Sequence, residues 1–403
     1  MKLRTVFKLK AKLRDPQLTK IGVIIYMSPQ SLSGKNGKAL ILFLIRNDLI
    51  RLIVVDEIHL ATSFGNTFRK EFMDLPSLLF SRVTCPMLFL TATCTSAIRD
   101  DFKDLMDIDM NSMNWPTANE MAHRCVSIET IYTTKPFQHV MKSFKDMISN
   151  SDDGLPSKVI VYSNTRERIL NFADSIKKKM NSDSIMKEID IISLVGTLTK
   201  QEKAKYIRLF VNGSTKHPQL KIRVLCATSG VGNAGIDYLD VRAVYRIVFP
   251  PSIIDLAQEK GRAGRRPGSS STDYHYIVCY SLETYLYLFK RILDPTEEYV
   301  NDSYHKKQIA NLIQVAKVLL TPYTCIPHSL ENLMGDPYCV DDHVTLFCGA
   351  CTNCSTQKKS QFEPPFSRDG INKILLDLFI SSTEERILTM ENIVLFIMNY
   401  PNS

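Results

Sequence analysis

Leu52-Ile53-Val54-Val55-Asp56-Glu57-Ile58-His59 is the stretch that decides the fold. Its short apolar run reads as a strand buried on both faces, the kind found in parallel sheets covered by helices. The run closes on a carboxylate pair, and such a pair at a strand end can hold Mg²⁺ through water and polarise an attacking water. Far downstream, Gln258-Glu259-Lys260-Gly261-Arg262-Ala263-Gly264-Arg265 carries two arginines that can neutralise charge on a transferring γ-phosphate. Neither string is specific alone, because acids end many strands and similar glycine-arginine strings occur in ordinary loops. In this order, on two separate α/β-like halves, they outline a nucleotide-driven motor.

The 403 residues allow two or three domains, and at 44% apolar content each can bury a core. No apolar stretch is long enough to cross a bilayer, and the start, MKLRTVFKLK, has no secretory signal, which points to an intracellular, soluble protein without a membrane partner. Six of the first fourteen residues are Lys or Arg, a pattern expected of a solvated end. A net charge of +8 is compatible with nucleic acid as a partner without proving it. Of the ten cysteines, five crowd between Cys325 and Cys354, which suggests metal rather than disulfides.

Short β-branched runs alternate with helical patterns along the chain. In the first half, Ile21 to Tyr26 is expected as a strand, Lys38 to Arg46 as a helix, and Leu52 to Val55 and Met87 to Leu90 as strands. Residues 149–157 have the composition of a linker or exposed loop. A second set follows, with strands at Lys158 to Tyr162, Ile189 to Leu194, Ile222 to Cys226 and Val244 to Val248. Helices are expected at Arg166 to Met180, where Ile169, Phe172, Ala173 and Ile176 share a face, and at Lys200 to Val211. After the turn-rich break at 267–271 come another strand and a helical segment from about Leu282 to Leu320. Ligands of such sheets gather at the carboxyl ends of strands, where Asp56, Thr91 and Asp237 are expected to lie.

In their order and content these motifs resemble the RecQ-like branch of superfamily 2 DNA helicases, from about Tyr26 to Cys354. Tyr26-Met27-Ser28-Pro29-Gln30 is similar to that family's strand-then-TPE motif, and Asp56-Glu57-Ile58-His59 to its DEAH box. Ser63-Phe64-Gly65-Asn66-Thr67-Phe68-Arg69 resembles the aromatic-rich loop that contacts single-stranded DNA, with Phe64 in place of Trp, Asn66 of His and Thr67 of Asp. Leu90-Thr91-Ala92-Thr93, Val161 to Arg166, Ala227-Thr228 through Gly235-Ile236-Asp237, and Gln258 to Arg265 match further motifs. Other departures are an extra residue between Ala227 and Asp237, Arg266-Pro267 after the arginine motif, and Val195-Gly196 where His-Ala-Gly is usual.

The resemblance implies two RecA-like parallel-sheet α/β domains, the first incomplete, then a small helical zinc-binding subdomain. The expected boundaries are 1–135, 136–290 and 291–360, with a helical tail at 361–403 resembling the start of a winged-helix domain. It implies ATP-dependent 3′ to 5′ unwinding, with Asp56, Glu57, His59, Arg262 and Arg265 as catalytic residues. ATP and Mg²⁺ contacts fall to Thr91, Thr93, Gly235, Asp237 and Gln258. Contacts to single-stranded DNA and duplex junctions fall to Phe64, Phe68, Arg69, Asn164 and Thr228, with aromatic rings stacking on bases. A role in DNA repair and recombination and a nuclear address follow from the family alone; oligomeric state stays open.

Cys348-Gly349-Ala350-Cys351-Thr352-Asn353-Cys354 gathers three thiolates at a restrictive spacing, and Cys325 resembles the family's first zinc ligand, so the four would hold a structural Zn²⁺. Cys339, His328 and His343 remain alternatives for the fourth ligand. No GxxxxGK[ST] phosphate-binding string occurs in the sequence, and Ser33-Gly34-Lys35-Asn36-Gly37-Lys38-Ala39 is expected as a surface loop. The chain is therefore expected to be an N-terminally truncated or degenerate copy. Two readings stand: an ATP-dependent helicase, and a DNA-binding remnant without catalysis.

Overall fold

The computed structural model describes residues 23–60, 77, 79–91, 93, 95–106, 126–150, 157–213, 220–229, 240–265, 274–292, 302–321, 324–334 and 348–357. They belong to two compact units, one comprising Met1–Ala122 with Pro295–Lys307 and Leu330–Asp342, the other His123–Asp294 with Gln308–Ser329 and His343–Ser403.

In the first unit, helix α1 (Pro29–Ser33) starts where Ser28 accepts the N–H of Ser31 at 3.2 Å and Pro29 supplies a preset φ. Gly34 turns the chain into helix α2 (Lys35–Arg46). The expected surface loop is thus two helices meeting at a corner. Gly37 explains why: a Cβ there would lie 2.0 Å from the Ser31 carbonyl oxygen, so only glycine lets the helices approach so closely. Residues 23–26 of the expected first strand carry no strand pairing. Strands β1 (Ile53–Val55) and β2 (Met87–Phe89) pair in parallel, Val54 opposite Leu88. Leu40, Ile41 and Leu44 of α2 pack with Ile53, Ile58 and Phe102 of helix α3 (Ser96–Met106), and Phe102 meets Phe89 edge-on at 4.9 Å.

The second unit is a six-stranded, wholly parallel sheet, as the α/β fold class requires. Its strands are β3 (Ser127–Tyr132), β4 (Ser157–Ser163), β5 (Ile189–Leu194), β6 (Ile222–Thr228), β7 (Val241–Arg246) and β8 (His275–Tyr280), in spatial order β3-β8-β7-β4-β6-β5. β3 and helix α4 (Pro136–Ser149) were not anticipated. β3 pairs with β8, so it belongs to the same sheet as β4, and residues 151–156 of the expected linker lie outside the described residues. Helices α5 (Arg166–Ser182) and α6 (Lys200–Asn212) fall where periodicity put them. α5 is capped by Thr165, and α6 by a reciprocal Thr199–Glu202 box. Phe144 of α4 and Ile169, Phe172 and Ile176 of α5 bury one sheet face against Val159 and Val161. Helix α7 (Ile253–Lys260) begins at a Ser252 cap.

β7 starts three residues before the expected Val244, since its pairing with β4 begins at Val241. Of the helical segment expected after β8, the described residues form helices α8 (Leu282–Ile292) and α9 (Asp302–Leu320). Short helices α10 (Ile326–Leu333) and α11 (Thr352–Gln357) complete the described chain. Among the described residues no helix is long and apolar enough to cross a membrane.

Candidate nucleotide and metal sites

In the first unit the carboxylate pair leaves β1 at its carboxyl end. Asp56 is exposed, and its Oδ1 accepts the N–H of Glu57 at 2.9 Å. Glu57 takes a left-handed φ of 53°, costly for a residue with a β-carbon, and its carboxylate lies 3.3 Å from Nδ1 of His59. That nitrogen also lies 2.9 Å from Oγ1 of Thr91, just past β2. The Thr91 hydroxyl donates to the Thr93 carbonyl and accepts the Thr93 N–H, both at 3.1 Å. Nδ1 of His59 thus faces both the Thr91 hydroxyl and the Glu57 carboxylate. Backbone bonds from Leu90 to Val55 (2.8 Å) and from Ile58 to Leu90 (3.1 Å) lock the two strand ends together. Asp56, Glu57, His59, Thr91 and Thr93 therefore form one cluster, in which Thr91 and the buried Thr93 brace the carboxylate segment.

In the second unit, Arg262, Arg265 and Gln258 lie on and just after α7. The chain turns sharply there: the N–H of Arg262 bonds to the Glu259 carbonyl at 3.0 Å, and Nε of Arg265 to the Gly261 carbonyl at 2.8 Å. Gly264 has a φ of +64°, and a Cβ on it would come within 3.2 Å of Val126. Its N–H points to the Val241 carbonyl at 3.4 Å, at the amino end of β7. Asn164 and Thr228 instead follow β4 and lie on the last position of β6, at the carboxyl end, with Nδ2 of Asn164 on the Phe249 carbonyl at 3.1 Å. Within this unit Gly264 thus lies by the amino end of β7, whereas Glu259, three residues before Arg262, bonds Ser229, next to Thr228. Gly235, Asp237, Phe64, Phe68, Arg69, Cys339 and His343 lie outside the described residues.

The cysteines do converge. The sulfurs of Cys325, Cys348, Cys351 and Cys354 all lie within 4.8 Å of one another. Four thiolates at Zn–S distances of about 2.3 Å sit about 3.8 Å apart in a tetrahedron, so the set fits a closed structural zinc site. The Cys351 N–H points at the Cys348 sulfur at 3.2 Å, and S–H donation from Cys325 and Cys351 holds the Cys348 thiol far below its usual range while that of Cys325 is pushed far up. Asn353 ties this loop to the Thr321 and Thr324 carbonyls at 2.9 and 2.8 Å. Ser127 donates to the Ala350 carbonyl and the Thr130 N–H to Oγ1 of Thr352, both at 2.8 Å, so the loop covers the outer edge of β3.

The family described as the helicase conserved C-terminal domain matches residues 139–267, which span β4 to β7 and the arginine turn. The ATP-dependent DNA helicase RecQ of Pasteurella multocida is 23% identical over 349 residues, covering 86% of this chain and 47% of that protein. The RecQ-like DNA helicase blm-1 of Caenorhabditis elegans is 24% identical over 319 residues, covering 78% of this chain and 29% of that protein. The chain is similar to RecQ-like DNA helicases over most of its length. A protein of Acanthamoeba polyphaga mimivirus, named as an ATP-dependent RNA helicase, is 26% identical over 345 residues, covering 86% of this chain and 55% of that protein. The chain therefore spans about half, or less, of the length of these relatives.

Beyond its RecQ-like motifs, the second unit holds a buried polar network that sequence reasoning missed. Arg246 and Glu259 are fully buried and paired. Ser229 accepts from Arg246 at 2.6 Å and donates to Glu259 at 2.8 Å, while Tyr276 donates to the other Glu259 oxygen at 3.0 Å. Burial pushes the Glu259 carboxyl up to about 7, with Arg246 opposing, and raises Asp255, whose carboxylate accepts from Ser252. The available signal was a lone arginine inside the apolar run Val244-Tyr245-Arg246-Ile247-Val248, since a buried charge needs a partner.

Proposed function

We propose that this chain works as part of an ATP-dependent DNA helicase that moves 3′ to 5′ on a single strand and opens duplex junctions. The observation that carries the reading is the His59–Thr91 hydrogen bond. It joins the carboxylate pair after one strand to the segment after the next, so a change at one reaches the other. Asp56 would hold Mg²⁺ through water, which when bound screens the phosphate charge, and Glu57 would orient the attacking water. Arg262 and Arg265 would balance the charge that develops on the transferred phosphate. Gln258, Gly235, Asp237, Thr91 and Thr93 would support the nucleotide, and Phe64, Phe68, Arg69, Asn164 and Thr228 the strand. The four cysteines would hold Zn²⁺ for folding rather than for chemistry. A nuclear site of action in repair and recombination is part of the same reading.

A second reading, DNA binding without turnover, draws on the lack of GxxxxGK[ST] in these 403 residues. Phosphate release by the purified protein, with and without single-stranded DNA, separates the two. Release stimulated by DNA supports the first, and tight DNA binding with no release supports the second. An equal response to single-stranded RNA would refute the assignment of DNA as substrate.

A further inference from the structure

We infer that Glu259, held by Arg246, Ser229 and Tyr276, is a positioning residue for the arginine-bearing turn 261–265. Its consequence for turnover rests on the reading of Arg262 and Arg265 proposed above; its effect on the turn does not.

α7 has eight residues, too few to be stable by itself, so its end is placed by what its side chains grip. The grip in its last turn is Glu259, fully buried. One carboxylate oxygen faces Arg246 of β7 and accepts from Ser229, which follows β6; the other accepts from Tyr276 of β8. Three separate segments of the sheet thus fix one carboxylate. The same residue's carbonyl receives the Arg262 N–H at 3.0 Å, and the next receives that of Ala263 at 3.1 Å, so the turn is built directly on the anchored residue. At its far side the Gly264 N–H points to the Val241 carbonyl at 3.4 Å, and a β-carbon on that residue would meet Val126 and Tyr274. A five-residue turn pinned at both ends has little freedom, and its two guanidinium groups inherit that order.

A buried ion pair is also found where it does nothing but sit in a core, and replacing such a pair with apolar residues is often neutral for stability. That provides the test. In the Arg246→Leu/Glu259→Leu protein, the thermal midpoint should stay near wild type, while amide exchange of residues 262–265 accelerates by about tenfold or more with β7 and β8 unchanged. Glu259→Gln, whose single amide oxygen can accept from Ser229 or from Tyr276 but not from both, should retain part of the protection. Should the leucine pair fail to fold, Ser229→Ala/Tyr276→Phe removes two of the three anchors without altering charge, and exchange of the same amides should rise about threefold or more. Wild-type protection of 262–265 in either folded double variant overturns the inference. DNA-stimulated phosphate release is read in parallel with Arg262→Ala. If that substitution changes nothing, the catalytic reading of the arginines fails while the exchange result still decides the role of Glu259.

Discussion

Glu259 gives the stability of this protein a pH dependence whose sign and size follow from its surroundings. Burial lifts its carboxyl from 4.5 to about 7, outweighing the attraction of Arg246 and the hydroxyls of Ser229 and Tyr276. Between those values the folded protein keeps a proton that the unfolded chain has released. The native state binds more protons there, so the Glu259 contribution to stability falls as pH rises through this window and is flat outside it. A separation of about 2.5 units corresponds to about 3 kcal/mol, because each unit is about 1.4 kcal/mol. The perturbation is Glu259→Gln, which is neutral at every pH and leaves Arg246 charged throughout. Urea unfolding of both proteins, followed by circular dichroism from the acid side of 4.5 to beyond pH 7, gives two curves. Their difference should change by about 3 kcal/mol across the window, with wild type relatively weaker at the alkaline end. Asp255, also raised by burial, contributes with the same sign, and its charge adds to the rise of Glu259. Parallel curves would refute the claim that an ionised Glu259 is costly in this site.

Thr352→Val removes the acceptor of the Thr130 N–H and should cost about 1 kcal/mol, with faster exchange of that amide by mass spectrometry. Cys351→Ser should abolish stoichiometric zinc by elemental analysis and lower the thermal midpoint of the second unit, whereas Cys85→Ser, outside the cluster, should change neither. Gly264→Ala forces a β-carbon into a left-handed φ beside Val126 and should destabilise by about 1 to 2 kcal/mol in chemical unfolding.

The parts of this fold legible in the sequence were those whose burial is uniform. β4 and β6 are runs of β-branched and apolar residues deep in a parallel sheet, and α5 announces itself through Ile169, Phe172 and Ile176. β3 was missed because Ser127-Ile128-Glu129-Thr130-Ile131-Tyr132 is an edge strand, with polar groups that meet the cysteine loop or pair with His275, and its sequence alternates weakly. The Gly34–Gly37 corner was read as a loop because two glycines usually break helices. Here Gly37 permits two helices to touch. The same contrast holds for the sites. Cys348, Cys351 and Cys354 are close in sequence, so their spacing alone restricts the geometry. Arg246, Ser229, Glu259 and Tyr276 are up to 47 residues apart in sequence and meet only once β6, β7 and β8 are aligned.

The central claim is that the carboxylate pair after β1 and the arginines after α7 serve a single ATP-hydrolysing reaction driven by DNA. Its most direct test is phosphate release stimulated by single-stranded DNA, compared among wild type, Glu57→Gln and Arg262→Ala, with zinc content as the control for folding. Loss of release in both variants, with zinc retained, is the predicted result. Undiminished release in either variant would contradict the account.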